Sequence, residues 1–399
     1  MSMIIARPDY LNRIKAFQGR SLIKVLTGMR RVGKSTLLKQ IQESLLNEGV
    51  KESQIIQINM EEMENEPLTD YHRLYEHIQR RLQKDQMNYI FIDEVQEVDQ
   101  FEKVLNSLQA KGIADIFVTG SNSQMLSGEL ATRLSGRYVE IQVYPFSYKE
   151  YLELNELKPG NESLQEWLQT GGLPAAGGLS SEAWREYLSG IYHTVLLKDI
   201  VQRKKFTDVA LLEALSQYLA DNISNQITPK GIADYLTSAG RKTTSKTIDN
   251  YLSALKEAFL LNPVQRSDLR GKKIFDRGRK YYFTDTGLRQ YLIGGRLRDL
   301  GRLLENAVCT ELKRRGYDVS SGDWNGLEVD FVARKSSEVQ YYQVSASVLD
   351  EATYDREIRP FLSIQDNYPK ILLSLDSFDL SDKGIRHQNL LDFFLENET

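Results

Sequence analysis

The chain has 399 residues, of which 41% are hydrophobic and 27% are charged, and its net charge is −4 at pH 7. These values are ordinary for globular domains, and the length is enough for two or three of them. No apolar run approaches the roughly 18 residues of a membrane-spanning helix. The single cysteine, Cys309, excludes a disulfide framework and a thiolate metal cage. The N-terminus lacks the pattern of a secretory signal, so we expect a cytoplasmic location.

Basic residues are unevenly distributed along the chain. Residues 1–39 carry nine Lys and Arg against Asp9 alone, and residues 266–302 carry eleven against four Asp. Such runs have two equally good explanations, which are solvent-exposed faces of helices and surfaces that contact a polyanion. The overall negative charge argues against a protein that binds nucleic acid over its whole surface.

The first 150 residues alternate between segments typical of strands and of helices. After the first of these strands, apolar residues recur at helical spacing between residues 37 and 45. Strands are predicted at 22–26, 55–58, 89–92, 115–119 and 138–143. Such alternation is typical of a parallel sheet covered by helices, so the predicted fold class is α/β.

A glycine-rich motif follows the first strand. It reads Gly28-Met29-Arg30-Arg31-Val32-Gly33-Lys34-Ser35 and matches G-x-x-x-x-G-K-[ST] in full. Its glycines allow a tight turn whose N–H groups surround phosphate oxygens at the start of a helix. We therefore expect ATP to bind here, with Lys34 at the β- and γ-phosphates and Ser35 on Mg²⁺. The residues expected to contact the nucleotide are Gly28, Arg30, Arg31, Val32, Gly33, Lys34, Ser35 and Thr36.

Two acidic residues end the third predicted strand. The apolar run of residues 89–92 leads directly into Asp93 and Glu94. At the carboxyl end of a buried strand they would face the ligand of an open α/β sheet. We expect Asp93 to hold the metal and Glu94 to accept the proton of the attacking water.

Further candidates follow the fourth strand. Ser121 and Asn122 could hold the attacking water or sense the γ-phosphate, and an ordinary Ser/Asn turn is the alternative. Arg133 and Arg137 precede the fifth strand, and either guanidinium could reach a γ-phosphate of its own chain or of a neighbouring copy. Ordinary surface arginines are the alternative, and the sequence leaves a homo-oligomer open.

Several segments along the chain carry a family resemblance. They are T-G-M-R-R-V-G-K-S-T (27–36), Y-I-F-I-D-E-V-Q (89–96), T-G-S-N-S (119–123), L-S-G-R (134–137), P-F-S-Y-K-E-Y (145–151), L-L-K-D-I (196–200) and K-Y-Y-F-T-D-T-G-L (280–288). Their order resembles AAA-type P-loop ATPases, in a prokaryotic branch with a winged helix and a C-terminal domain of unknown function. The resemblance implies an ATPase domain at 1–150, a helical lid at 151–225, a winged helix-turn-helix at 226–290 and a restriction-endonuclease-like α/β domain at 291–399.

The middle of the chain is predicted to contain a helix-turn-helix. A short helix from Thr228 to Leu236 and a turn with Gly240 precede a second helix that begins near Thr244. The polar face of that helix and the basic stretch 266–280, read as a wing with turns at Gly271 and Gly278, suit DNA. The residues expected to contact DNA are Lys246, Thr247, Asn250, Lys272, Lys273, Arg277 and Arg279. Contact with a protein is the alternative.

The C-terminal region contains part of a nuclease pattern. Nucleases of the restriction type hold Mg²⁺ with a helical Glu, a strand Asp and a following E-x-K. Glu305 and Asp330 match the first two positions, with Glu328 nearby, whereas Gln343 and Ser345 stand for the acid and the lysine. Serine cannot replace an ammonium, so we expect a nuclease-like fold that does not cleave.

Three functions follow from these features. The first is a Mg²⁺-dependent ATPase that couples ATP turnover to DNA binding or remodelling. The second is a nucleotide-dependent switch that engages a protein partner, for example in stress response or phage defence. The third is an active DNA nuclease, which rests only on Glu305 and Asp330.

Overall fold

The computed structural model describes residues 4–121, 134, 136–271, 273–295 and 299–396, with the backbone alone at 197–198 and 273–277. The chain divides into two compact units, which are Met1–Val143 with Glu257–Phe259, and Tyr144–Lys256 with Leu260–Thr399. The described part of the chain contains no helix that is both long enough and apolar enough to cross a membrane.

The first unit is built on a parallel sheet. Its described strands are β1 Ile23–Thr27, β2 Ile55–Asn59, β3 Asn88–Asp93, β4 Ala114–Gly120 and β5 Tyr138–Gln142. They lie in the order β2-β3-β4-β1-β5, and every pairing is parallel. The helices are α1 Pro8–Lys15, α2 Lys34–Asn47, α3 Tyr71–Arg81 and α4 Phe101–Lys111. The predicted α/β fold with a parallel sheet is confirmed.

Apolar strand residues explain why this sheet forms. Ile23, Val25, Ile90, Ile92 and Val118 belong to one buried cluster that is shared with the helices. Near-continuous apolar strands are typical of a sheet that is covered on both faces. Because β1 lies between β4 and β5, the loop after β1 meets the carboxyl ends of neighbouring strands.

The second unit begins with helices. They are α5 Tyr148–Leu154, α6 Asn161–Thr170, α7 Ser181–Thr194 and α8 Val209–Asp221, and a π-helical segment, Val195–Gln202, continues α7. Ser147 starts α5 with a capping box, in which its hydroxyl accepts from the Glu150 N–H while the Glu150 carboxylate accepts from the Ser147 N–H.

Two short helices and a hairpin follow. They are α9 Pro229–Ser238, α10 Ser245–Glu257, β6 Leu261–Asp268 and β7 Lys273–Phe283. Ile227, just before α9, exchanges both backbone hydrogen bonds with Arg279 of β7 at 3.0 Å each. The chain thus forms a helix α8, a bridge residue, two helices and an antiparallel hairpin.

A mixed sheet completes the second unit. It adds β8 Asp318–Trp324, β9 Leu327–Lys335, β10 Glu338–Val344, β11 Lys370–Ser374 and β12 Arg386–Asn389. Among the described residues its order is β12-β11-β10-β9-β8-β6-β7. The helices are α11 Thr286–Leu292, α12 Leu300–Arg314, α13 Glu351–Ser363 and α14 Leu390–Leu395.

This sheet differs from two expectations. The hairpin expected to be a separate wing pairs with the C-terminal strands, because β6 runs parallel to β8 from Gln265 to Asp268. The sheet therefore crosses the expected domain boundary at 290. Gly278 lies inside β7 and not in a turn, with a φ of 82°, and the β6–β7 register shifts nearby between Gln265 and Ser267. A bulge of this kind bends the strand.

Two glycine-containing segments of the second unit meet at Asp285. Its carboxylate caps α11 by accepting from the Leu288 N–H at 3.0 Å and also accepts from the Gly172 N–H at 2.8 Å. A Cβ on Gly172 would lie 2.3 Å from the Phe146 carbonyl oxygen, and one on Gly287 would lie 2.2 Å from that of Thr170. Only glycine allows the backbone to approach this closely.

Candidate functional site

The phosphate loop joins β1 to α2 and is shaped by two glycines. Gly28 has a φ of 143° and Gly33 a φ of 93°, in the left-handed region that favours glycine. A Cβ on Gly28 would lie 2.3 Å from the Val143 carbonyl oxygen. Gly33 is the N-cap of α2, so the N–H groups of the first helical turn open onto the loop.

The other loop residues divide into buried and exposed groups. Val32 is fully buried and anchors the loop, whereas Arg31, Ser35 and Thr36 are exposed. Arg30 lies in an ion pair with Glu61, with 3.3 Å between its Nη1 and the Glu61 Oε1. The exposed hydroxyls of the first helical turn are therefore on the side from which a ligand can approach.

Lys34 is the buried cation of this loop. Its Nζ donates to the carbonyl oxygens of Gly28 at 3.0 Å and Met29 at 3.2 Å. The same Nζ lies 3.6 Å from Oε1 of Glu94. Lys34 thus links the predicted phosphate site to the predicted general base.

Asp93 and Glu94 are brought to the loop by β3, and Thr119 of β4 holds both. The Thr119 hydroxyl donates to the Asp93 carboxylate and accepts from the Glu94 N–H at 2.9 Å. Glu94 has a φ of 51°, an uncommon conformation for a side chain other than glycine. The sequence pattern did not assign Thr119 a role, because a threonine in a strand usually reflects β propensity alone.

Polar groups also orient the Glu94 carboxylate. The Ser121 hydroxyl donates to its Oε2 at 3.0 Å, and the Gln96 amide donates to the same oxygen. Burial opposes the ionised form, but the Lys34 charge, the Gln96 amide, Arg30 and Ser121 together hold the pKa of Glu94 below its usual range. Glu94 is therefore ready to act as a carboxylate at neutral pH.

A second residue that the sequence did not identify is Arg7. It is buried, its Nη1 donates to the Val32 carbonyl oxygen at 3.2 Å, and its guanidinium lies 4.4 Å from the Tyr10 ring centroid. The start of α1 therefore braces the phosphate loop. No sequence signal marks an arginine for such a contact, because it depends on tertiary placement alone.

The predicted arginines do not join this arrangement. Arg137 is exposed and precedes β5, where its carbonyl oxygen accepts from the Ile23 N–H at 2.9 Å. Ile23 is the first residue of β1, whereas the phosphate loop follows the last residue of β1. Arg137 therefore lies at the amino-terminal ends of the strands, opposite the ends that carry the phosphate loop. This corrects the expectation that Arg137 could act within its own site. Asn122 and Arg133 lie outside the described residues.

Comparisons with known proteins agree with this geometry. The AAA domain family matches residues 20–152, and a domain of unknown function, DUF8612, matches residues 161–299. An uncharacterized protein of Haemophilus influenzae is 36% identical over 399 residues, covering 98% of this chain and 99% of its own length. The chain belongs to the same family as this protein. Residues 20–152 form an AAA-type P-loop domain.

More distant proteins are also similar. The uncharacterized protein MJ1544 of Methanocaldococcus jannaschii is 29% identical, covering 85% of this chain and 78% of its own length. A solved structure of the Aeropyrum pernix ORC1 protein in complex with DNA is 12% identical and covers 74% of this chain and 94% of its own, with a TM-score of 0.34. A likeness of that size carries no argument about this family.

The two short helices α9 and α10 lie within the DUF8612 match. Thr228 caps α9 by accepting from the Gly231 N–H, and Ile248 and Leu252 bury one face of α10. Lys246 and Asn250 are exposed on its other face. Thr247 is half-buried, and its hydroxyl shares a hydrogen bond of 2.9 Å with the Thr244 hydroxyl. Thr247 is therefore engaged in starting the helix.

The basic hairpin is only partly described. Lys272 lies outside the described residues, as do the side chains of Lys273 and Arg277. Arg279 is half-buried, and its backbone is bound to Ile227. The exposed basic residues that the structure adds near the start of α10 are Arg241 and Lys242.

A buried cluster forms where the nuclease site is expected. Glu305 on α12 and Asp330 on β9 lie together as the pattern predicts, but Lys280 of β7 lies between them. Burial alone would lower the pKa of Lys280, but the charges of Glu305, Asp330 and Glu328 raise it above the ordinary value. Burial and the Glu305 charge act to raise the pKa of Asp330, and the Lys280 charge opposes them.

Gln343 and Ser345, which stand at the acid and lysine positions of the nuclease pattern, form other hydrogen bonds. Gln343 accepts from the Asp330 N–H at 3.1 Å and donates to the Glu357 carboxylate at 3.0 Å. The Ser345 hydroxyl donates to the Ser347 carbonyl oxygen at 2.9 Å. Neither residue supplies a charge to the cluster.

Proposed function

We propose that this protein hydrolyses ATP with Mg²⁺ and couples the turnover to DNA binding or remodelling. The observation that carries the proposal is the arrangement of Lys34 between the phosphate loop and Glu94, with Thr119 holding Asp93 and Glu94. A phosphate cradle, a cation and a carboxylate base in contact are what phosphoryl transfer to water requires.

The residues present suit Mg²⁺. Hydroxyl and carboxylate oxygens are the ligands that this small hard cation prefers, and it keeps several waters beside the phosphate oxygens. Ser35 at the exposed start of α2 and Asp93 at the end of β3 supply such oxygens. The metal would neutralise the phosphate charge, while Glu94 takes the proton of the attacking water.

The support for DNA comes from α10. Its exposed polar face carries Lys246 and Asn250, and Arg241 and Lys242 precede it. The order of helix, bridge residue, two helices and hairpin supports the interpretation of this region as a winged helix-turn-helix. In such units the second helix of the pair faces the bases. Contacts of Arg241, Lys242 and Lys246 with phosphates would release counter-ions, so affinity should fall as salt rises, and the exposed Asp249 on the same helix should weaken it.

One experiment tests both parts of the proposal. ATP turnover is measured for the wild type, Lys34→Ala and Glu94→Gln, each alone and with branched, single-stranded and duplex DNA. We expect the wild type to turn over ATP, and at least one DNA to stimulate this turnover. Both substitutions should lower the turnover by about 100-fold or more. Turnover that is unchanged by every DNA, together with no DNA binding at low salt, would exclude the coupling but not the ATPase.

A second set of variants locates the DNA contact. Lys246→Ala should weaken DNA affinity and the stimulation of turnover, because one phosphate contact is lost. Lys158→Ala removes an exposed lysine between α5 and α6 and is the matched control, expected to bind DNA like the wild type. Equal losses in both variants would point to general electrostatics and not to α10. If DNA does not bind, co-purification of a protein that is lost in Lys34→Ala would favour the switch.

A further inference from the structure

The cluster around Lys280 does not have the composition of a nuclease metal site. In such a site a divalent cation lies between carboxylates, and a lysine beside it steadies the attacking water. Here the carboxylates of Glu305, Glu328 and Asp330 converge on the Lys280 ammonium itself. Among the described residues no group of three or more acidic, His or Cys side chains is arranged to hold a metal ion.

The contacts of Lys280 place its Nζ at the centre of the cluster. The Nζ donates to Glu305 at 2.9 Å, lies 3.4 Å from Asp330 Oδ1 and forms an ion pair with Glu328. The Lys280 side chain is only 3% exposed. The Tyr282 hydroxyl also donates to Glu305, so the helical carboxylate already has a charged and a neutral donor. An ammonium with three hydrogen-bond donors satisfies this set of acceptors.

The remaining oxygen of Asp330 is also engaged. Its Oδ2 accepts from the Val344 N–H at 3.0 Å, next to Gln343, which carries no charge. A divalent cation needs several charged oxygens with lone pairs directed at one point. The point that these carboxylates share is already filled by a cation of the chain, and a metal ion would have to displace a buried ammonium from its counter-ions.

We propose that Lys280 takes the place of the divalent cation in this domain, so that the nuclease-like fold holds its carboxylates together without a metal. Lys280 is a structural counter-ion in this role and not the lysine that would assist cleavage. Glu305 and Asp330 then serve to join α12, β7 and β9, which explains why the acidic residues of the pattern are present while its E-x-K is not. The proposal does not depend on ATP turnover or DNA binding.

Manganese binding tests the proposal directly. The full-length protein, without nucleotide, is titrated with Mn²⁺ and followed by calorimetry and by the electron paramagnetic resonance of free Mn²⁺. Asp330→Asn should bind the same amount of Mn²⁺ as the wild type, because the wild type holds no Mn²⁺ at this cluster. Lys280→Met, which leaves the carboxylates without their cation, should gain one Mn²⁺ site that the wild type lacks. Adding Asp330→Asn to this variant should remove the gain.

Control variants keep the result decisive. Lys335→Met removes a lysine of β9 that lies over the Tyr317 ring and, among the described residues, forms no ion pair with the carboxylates of this cluster, so it should not gain Mn²⁺. Lys280→Gln is the second neutral variant if Lys280→Met fails to fold. The proposal is overturned if the wild type binds Mn²⁺ and Asp330→Asn abolishes it, because Lys280 would then share the site with a metal. It is also overturned if a folded neutral variant of Lys280 binds no Mn²⁺.

Discussion

Lys34 Nζ lies 3.6 Å from Oε1 of Glu94, and their side chains are only 4% and 8% exposed. The ammonium that is predicted to bind phosphate therefore also stabilises the carboxylate that is predicted to accept a proton. Phosphate oxygens that draw Lys34 away would leave Glu94 with its neutral donors, Gln96 and Ser121. We therefore expect nucleotide binding and the basicity of Glu94 to be coupled through the Lys34 side chain.

Substitutions of Lys34 and of Glu94 should have different effects on turnover and on ATP affinity. Glu94→Gln keeps the shape of the site but cannot accept a proton, so turnover should fall by about 100-fold or more while ATP still binds. Lys34→Ala removes the phosphate contact and should lose ATP affinity as well. Turnover and the binding of a fluorescent ATP analogue measure the two effects. Hydrolysis by Glu94→Gln at the wild-type rate would show that another group is the base.

The pH dependence should report the coupling. In the free protein Lys34 and the other donors lower the pKa of Glu94, so Glu94 stays ionised to more acidic pH. When phosphates compete for Lys34, that pKa should rise. Because kcat/KM reports the free enzyme and kcat the ATP complex, the acidic limb of kcat should lie at higher pH than that of kcat/KM. Both profiles are measured from steady-state turnover between about pH 4 and pH 9. Coincident limbs would contradict the coupling.

Thr119 should matter through its hydroxyl. Thr119→Val keeps the volume of this fully buried residue but removes the donor to Asp93 and the acceptor for the Glu94 N–H. Asp93 and Glu94 would lose the contact that positions them, so we expect turnover to fall by roughly tenfold or more. Thr119→Ser restores the hydroxyl and should recover most of the activity. Equal turnover in Thr119→Val and the wild type would leave Asp93 and Glu94 positioned by other contacts.

The sequence predicted the parts of this site that depend on local pattern. The phosphate loop and Asp93 with Glu94 follow strands that the apolar runs define, and parallel strands bring their carboxyl ends together. The contacts made by Arg7, Thr119 and Gln96 were not predictable in this way. Each depends on which strand or helix becomes the neighbour of another, and that is set by the packing of the whole sheet.

The same reason explains the differences in the second unit. Residues 266–280 are basic, and charge alone predicts a solvated wing. The pairing of β6 with β8 places the hairpin in a larger sheet and buries Lys280 against carboxylates that are 25 to 50 positions away. Helix spacing identified Glu305, and strand alternation identified Asp330. Nothing local indicated which cation they would meet.

The Asp285 carboxylate gives the second unit a pH dependence whose sign is fixed. Burial raises its pKa to about 6, and the N–H groups of Gly172, Leu288 and Gly287 oppose this shift only in part. Folding therefore favours the protonated form. The stabilisation is present in full below the unfolded carboxyl pKa of about 3.9 and is lost as the pH rises through about 6. A shift of two pKa units corresponds to about 3 kcal/mol.

Asp285→Asn tests this sign because asparagine does not titrate. The free energy of unfolding of the wild type, relative to Asp285→Asn, should fall by about 2 kcal/mol between about pH 4 and pH 7. Trp167, Trp184 and Trp324 are the three tryptophans of the chain and all lie in the second unit, so their fluorescence in urea reports this unit alone.

Asp350→Asn supplies a control of opposite sign. Asp350 caps α13, and hydrogen bonds from the Thr353 N–H and hydroxyl lower its pKa. Its contribution to stability is present above the unfolded pKa and is lost as the pH falls. The free energy of unfolding of the wild type, relative to Asp350→Asn, should therefore increase as the pH rises. If the free energy of unfolding of the wild type, relative to Asp285→Asn, increased with pH as it should for Asp350→Asn, Asp285 would be stabilised as a carboxylate. Its three backbone donors would then outweigh its burial.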